Sequence, residues 1–158
     1  MSDLTDLDHL ARAVDLATAN VTDGGGPFGA VLRRADGGLV EGVNQVTTAH
    51  DPTAHAEVMA IRTACAQRET HELPGAVLYA SCEPCPMCLA TALWARVDRV
   101  VFAAGRDDAA RAGFDDATFH EYFETPGHHR LLPTEQTRTV QAIAPFEAWR
   151  AHERRIAY

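Results

Sequence analysis

The 158-residue chain contains no lysine; all 14 of its basic residues are arginine. That absence excludes Schiff-base catalysis, a phosphate-loop lysine and a kinase-type strand lysine. An excess of positive charge is also lacking. Asp and Glu number 22 against the 14 cations, for a formal net charge of -8. This argues against nucleic acid or an anionic membrane as partner, because such affinity comes mainly from neutralising cations. No uncharged run of about 18 residues is long enough to span a bilayer, and Asp3, Asp6, Asp8, Arg12 and Asp15 interrupt any leader-like apolar core. Cysteines are few, and Cys82, Cys85 and Cys88 crowd together while Cys65 stands apart. That spacing suits a metal better than a secreted disulfide framework. A soluble, cytoplasmic protein with a small neutral substrate is expected.

What is present reads as one α/β domain over 1–158. Leu4, Leu7, Leu10, Ala11, Val14 and Ala17 recur at helical spacing, predicting an amphipathic helix from Asp3 to about Asn20 with aspartates in its first turn. Gly24-Gly25-Gly26-Pro27 ends it and is read as turn geometry with no phosphate role. Phe28 to Leu32 and Leu39 to Val43 predict two strands of a hairpin, and Gln45 to His50 reads as a loop. Asp51-Pro52 offers a cap and a first-turn proline for a helix running to about Arg68. Strands are predicted at Val77 to Ser81, Val100 to Ala104 and Thr137 to Ile143. Helices are predicted at Pro86 to Ala95, Asp115 to Glu124 and Pro145 to about Ile156. The alternation implies a three-layer α-β-α sandwich around a mixed five-stranded sheet.

Two short segments carry the chemistry. His55-Ala56-Glu57 and Pro84-Cys85-Pro86-Met87-Cys88 together match the His-x-Glu and Pro-Cys-x-x-Cys signature of zinc deaminases. Cys85 and Cys88, three apart at a helix start, point their sulfurs to one side, where the positive helix end favours thiolates. With His55 they make three protein ligands, the count that leaves a position open for water. Bound zinc lowers the pKa of water from about 9 for the aqueous ion to about 7, and Glu57 is placed to carry the proton. Cys82 leaves other readings open. The Cys82, Cys85, Cys88 run suggests an iron–sulfur cluster but lacks its following fourth cysteine. Cys82 as a fourth zinc ligand would close the site and make it structural. A core position for Cys82 is the simpler reading, as it is for Cys65 beside Ile61 and Ala64. His128-His129 and the His120 to Glu124 spacing are read as exposed positions before a second metal site.

The chain resembles the bacterial guanine deaminases of the cytidine deaminase superfamily over nearly its whole length. The likeness runs through Gly25 to Val31, Asn44 with Val46-Thr47-Thr48, Asp51 to Glu57, Ser81 to Cys88, Trp94-Ala95-Arg96 and Ala112 to Asp116. It ends on Pro145-Phe146, Ala148-Trp149-Arg150 and Tyr158. The resemblance implies a cytidine deaminase-like fold with one zinc on His55, Cys85 and Cys88 and Glu57 as proton shuttle. It implies that Asn44 and Asp116 hydrogen-bond a purine, that Phe28 and Phe114 sandwich it, that Trp94 lines the pocket and that Tyr158 closes it. It also implies a homodimer with segments of about 145–158 swapped between subunits.

The implied reaction is hydrolytic deamination of guanine to xanthine and ammonia. Guanosine, cytosine or a triazine such as ammeline remain open as substrates of the same chemistry. A tRNA adenosine deaminase shares the motifs, but the charge of -8 supplies no basic track beyond Arg150, Arg154 and Arg155. A purely structural zinc scaffold is the non-enzymatic alternative, and it has no use for Glu57.

Overall fold

Thr5 caps the first helix by a reciprocal pair of bonds. Its hydroxyl accepts from the Asp8 N–H at 3.3 Å, and the Asp8 carboxylate accepts from the Thr5 N–H at 2.7 Å. This helix, α1 (Asp6–Thr22), opens a computed structural model that describes residues 5–125, 132, 134, 136–137 and 139–156. Leu4, His128, His129 and Tyr158 lie outside the described residues. The elements that follow are β1 (Gly29–Arg33), β2 (Leu39–Val43), α2 (Val46–Ala49), α3 (Ala56–Arg68) and β3 (Val77–Cys82). Then come α4 (Pro86–Trp94), β4 (Arg99–Ala104), α5 (Arg106–Arg111), α6 (Asp116–Glu124) and α7 (Ala144–Ala151).

The strands lie in the order β2-β1-β3-β4, with β1 antiparallel to both neighbours and β3 parallel to β4. Side chains alternate between two cores, as the pleat requires. Ala30, Leu32, Val40 and Leu78 pack against Ala56, Ala60, Ile61 and Ala64 of α3 and Ala92 of α4. Val31, Val77 and Tyr79 pack against Ala13 of α1 on the opposite face. The result is a mixed sheet with helices on both sides, the expected layering. Close approach is built from small residues: a Cβ on Gly29 would lie 2.7 Å from the Ala17 nitrogen. The buried stripe of α1 is therefore His9, Ala13, Ala17 and Asn20, whereas Leu7 and Val14 of the expected apolar face are exposed.

Four further expectations are corrected. The sheet has four strands among the described residues, because 140–143 form turns that lead into α7. Ala142 N donates to Thr139 O at 3.2 Å and Ala144 N to Gln141 O at 3.0 Å, which replaces strand pairing with local bonds. Helix α3 starts at Ala56, since the Asp51 carboxylate closes a turn on the Thr53 N–H and hydroxyl at 2.8 and 2.7 Å in place of capping a helix. The segment read as a loop holds the short α2, and the six-residue α5 was not anticipated. The last helix ends at Ala151, where the chain turns extended at His152. Among the described residues no helix is long and apolar enough to cross a membrane.

Candidate metal centre and active site

His55 and Cys85 occupy the N-cap positions of α3 and α4, and neither side chain makes a capping hydrogen bond. An N-cap side chain ordinarily satisfies the first-turn N–H groups; these two approach each other instead. His55 Nδ1 lies 3.6 Å from Cys85 Sγ and 3.5 Å from Cys88 Sγ, and the two sulfurs are 3.6 Å apart. Among the described residues these three form the only His, Cys, Asp or Glu group close enough to hold an ion. The spacing fits zinc. Tetrahedral bonds of about 2.3 Å to sulfur and 2.0–2.1 Å to nitrogen place donors roughly 3.6–3.8 Å apart. Three donors leave one tetrahedral position free.

The charges suit a cation. The Cys88 thiol beside Cys85 and the His55 ring hold the Cys85 thiol down at about 4, so the pair carries a thiolate. Cys88 is pushed upward by its hydrogen bond to Cys85 and by burial, and a metal ion would displace that proton. The His55 ring is raised by its own hydrogen bond to Cys85. Glu57, in the first turn of α3 and only 7% exposed, has its carboxyl pushed up to about 6 by burial.

A cavity of about 240 Å³ opens at this group. His55, Glu57 and Cys85 line it together with Asn44, Asp116, Phe28 and Phe114, so the structure brings seven of the expected residues to one place. Cys88 sits fully buried behind them. Asn44 is buried at the end of β2, its Oδ1 accepting the Val46 N–H at 3.2 Å. Asp116 opens α6 and is half-buried, and burial together with the negative charge at Cys85 raises its carboxyl above the usual range. The aromatic pair departs from expectation. Phe28 and Phe114 meet edge to face, with centroids 4.8 Å apart at 79°, which leaves no slot between them for a flat ring. A base in this cavity stacks on one ring, or one ring turns. Trp94 ends α4 at 59% exposure and is not among the side chains lining the cavity. Tyr158 lies outside the described residues.

Val46, Glu83, Asp115 and Phe119 complete the lining and were given no site role from the sequence. Glu83 lies inside the Ser81 to Cys88 segment, so its place beside the ligands was visible there. Its partner was not: Arg106 donates to Glu83 from its backbone N and its Nε at 3.0 Å each, and from Nη1 to Glu124 at 3.1 Å. Partial burial opposes ionisation of Glu83, but Arg106 outweighs it and holds the carboxyl below its ordinary value. The ligand loop is thereby tied to the far end of α6, the helix that Asp116 opens. Cys82 stands apart from the ligand group. Its Sγ lies 3.6 Å from Gly105 O, and burial pushes its thiol up to about 11.

A mixed sheet that presents a His-Cys-Cys donor set and a buried glutamate at two helix starts defines a zinc-dependent deaminase. The chain belongs to the family of the cytidine and deoxycytidylate deaminase zinc-binding region, which matches residues 4–104. In particular it is 49% identical over 142 residues to the guanine deaminase of Bacillus subtilis (strain 168), covering 89% of this chain and 91% of that one. The X-ray structure of guanine deaminase from Bacillus subtilis superposes with a TM-score of 0.92 at 46% identity, covering 98% and 99% of the two chains. A guanine deaminase from Nitrosomonas europaea gives a TM-score of 0.67 at 28% identity, over 94% and 74%. The tRNA-specific adenosine deaminase of Haemophilus influenzae is 31% identical over 148 residues, 91% of this chain and 84% of that protein.

Proposed function

We propose that this chain deaminates guanine to xanthine and ammonia, with one zinc held by His55, Cys85 and Cys88. The observation that carries the substrate is that likeness to the Bacillus subtilis guanine deaminase continues past residue 104, where the shared zinc-binding region ends, and covers 98% of the chain in space. Zinc, when bound, supplies Lewis acidity that makes a water molecule nucleophilic near neutral pH. Asn44 and Asp116 bind and orient the purine through its ring edge. Phe28 and Phe114 offer it an apolar wall. A Glu57 carboxylate oxygen takes the proton from the attacking water and returns it to the departing amino nitrogen, so that the C–N bond breaks as ammonia leaves. Burial of Glu57 keeps this proton from bulk water.

The cavity of about 240 Å³ is smaller than the ~300–1,000 Å³ usual for drug-sized ligands and favours a free base over a nucleoside. The charge of -8 weighs against tRNA, the substrate class suggested by the Haemophilus influenzae relative. We read the whole of 1–158 as one catalytic unit that pairs as a homodimer, with 145–158 of each copy covering the partner's cavity and Tyr158 closing it. Support comes from α7, which buries none of its residues and exposes 67% of Phe146. A cytoplasmic setting fits four cysteines that form no disulfide.

The test is ammonia release from guanine, guanosine, cytosine, adenine, ammeline and a tRNA anticodon stem-loop. Guanine turns over fastest on this reading. Inert guanine beside rapid turnover of another compound overturns the substrate while leaving the deamination chemistry standing.

A further inference from the structure

The glycine run before β1 lies behind the site, and the structure gives two of its residues a spatial role. Gly24 takes the left-handed turn, with φ +86, whereas Gly25 and Gly26 have no positive φ. Their lack of a side chain answers to space. A Cβ on Gly25 would run into the Asn20 side-chain amide, and one on Gly26 would lie 2.9 Å from Asn44 Oδ1 and 3.0 Å from its Cγ. Two amides thus sit against two bare α-carbons. Asn20, buried near the end of α1, donates both hydrogens of Nδ2, to Gly26 O and to Asn44 O at 2.8 Å each.

We infer that Asn20 is a positioning residue for purine recognition: it fixes the backbone at Asn44, and so the direction in which Asn44 presents its amide to the base. This rests on reading Asn44 as a purine contact. The geometry leaves little slack. The Asn44 carbonyl is held by Asn20, its N–H donates to Phe28 O at 3.1 Å, and its Oδ1 is taken by the Val46 N–H. That leaves Nδ2 of Asn44, a residue that lines the cavity, as the donor for a base. A single side chain therefore links α1 and the glycine turn to the residue that meets the base. A buried amide with both donors used is costly to unpair.

Asn20→Leu keeps the branched shape of the side chain, at a larger volume, and removes both donors. Misdirection of one neutral hydrogen bond present in ground and transition state alike raises KM for guanine about tenfold and leaves kcat within about twofold, with one zinc still bound per chain. In an Asn44→Ala background the same substitution adds no further rise in KM, because both changes act on one contact. The methyl group of Gly26→Ala meets the Asn44 side chain and leaves both Asn20 donors in place; this variant also raises KM, so a poorly folding Asn20→Leu does not remove the test. If the unaltered chain turns over guanine and KM is unchanged in both variants, the positioning role is wrong. A full additional rise in the Asn44→Ala background overturns it as well. Inert guanine with the unaltered chain overturns the guanine reading and this one together.

Discussion

Arg99 in β4 clasps Asp6 in the first turn of α1 across 93 residues of sequence, its Nη1 and Nη2 each 2.8 Å from a carboxylate oxygen. The Tyr79 hydroxyl, from the strand between them, donates to the same carboxylate at 2.8 Å. Start of chain, central strand and edge strand meet at one charge. Arg99, then Tyr79, hold the Asp6 carboxyl down at about 2.

This cluster gives a pH dependence with a definite sign. A carboxyl depressed in the folded state contributes stability that is present above its unfolded value of about 3.9 and lost as pH falls toward 2. Asp6→Asn is expected to lower Tm at pH 6, with the difference from the parent chain shrinking between pH 4 and 2. A difference of constant size across that window contradicts the assignment.

Glu57→Gln keeps the shape of the side chain and removes its ability to take a proton. Positioned acid–base groups contribute about 10²–10⁴ in rate, so a fall in kcat of that order is expected while zinc remains stoichiometric by elemental analysis. Turnover within a few-fold of the parent removes Glu57 from the proposed role.

Cys82 and Cys88 separate the open site from a closed one. Cys88→Ala leaves two of three donors and is expected to lose zinc and activity together. Cys82→Ala removes the thiol beside Gly105 O and leaves the three donors in place, and is expected to retain one zinc per chain and most of the turnover. Zinc loss from Cys82→Ala signals a closed site with Cys82 as its fourth ligand.

Removing 145–158 tests the proposed cover. The truncated chain is expected to keep its zinc, to lose guanine turnover and to elute as a monomer in size-exclusion chromatography. A truncated chain with full turnover leaves the cavity without need of a lid.

The parts of this protein written locally were readable from its residues. His55, Glu57, Cys85 and Cys88 fall within two short motifs, and the joint signature of those motifs brought them together. The four strands were legible because each is bounded by glycine, proline or charged turns. Asp51 misled, since a side chain able to cap a helix also closes a turn on Thr53, and only the path of the chain decides which. Thr137 to Ile143 has strand composition, yet the Ala142 and Ala144 N–H groups bond back to Thr139 O and Gln141 O in turns. Asn20 and Arg106 gave no local signal, and nor did the bond between Glu83 and Arg106, because each of these contacts depends on a partner 18 or more residues away.

The uncapped starts of α3 and α4 carry a consequence for how such a protein evolves. Ser, Asp or Asn at an N-cap stabilises a helix by about 1 kcal/mol over residues that cap nothing, and His55 and Cys85 hold those two positions without capping. Selection for folding and selection for chemistry therefore pull these sites in opposite directions. A descendant released from the reaction could exchange both ligands for better caps and gain stability, so the architecture is able to outlive the activity it was shaped around.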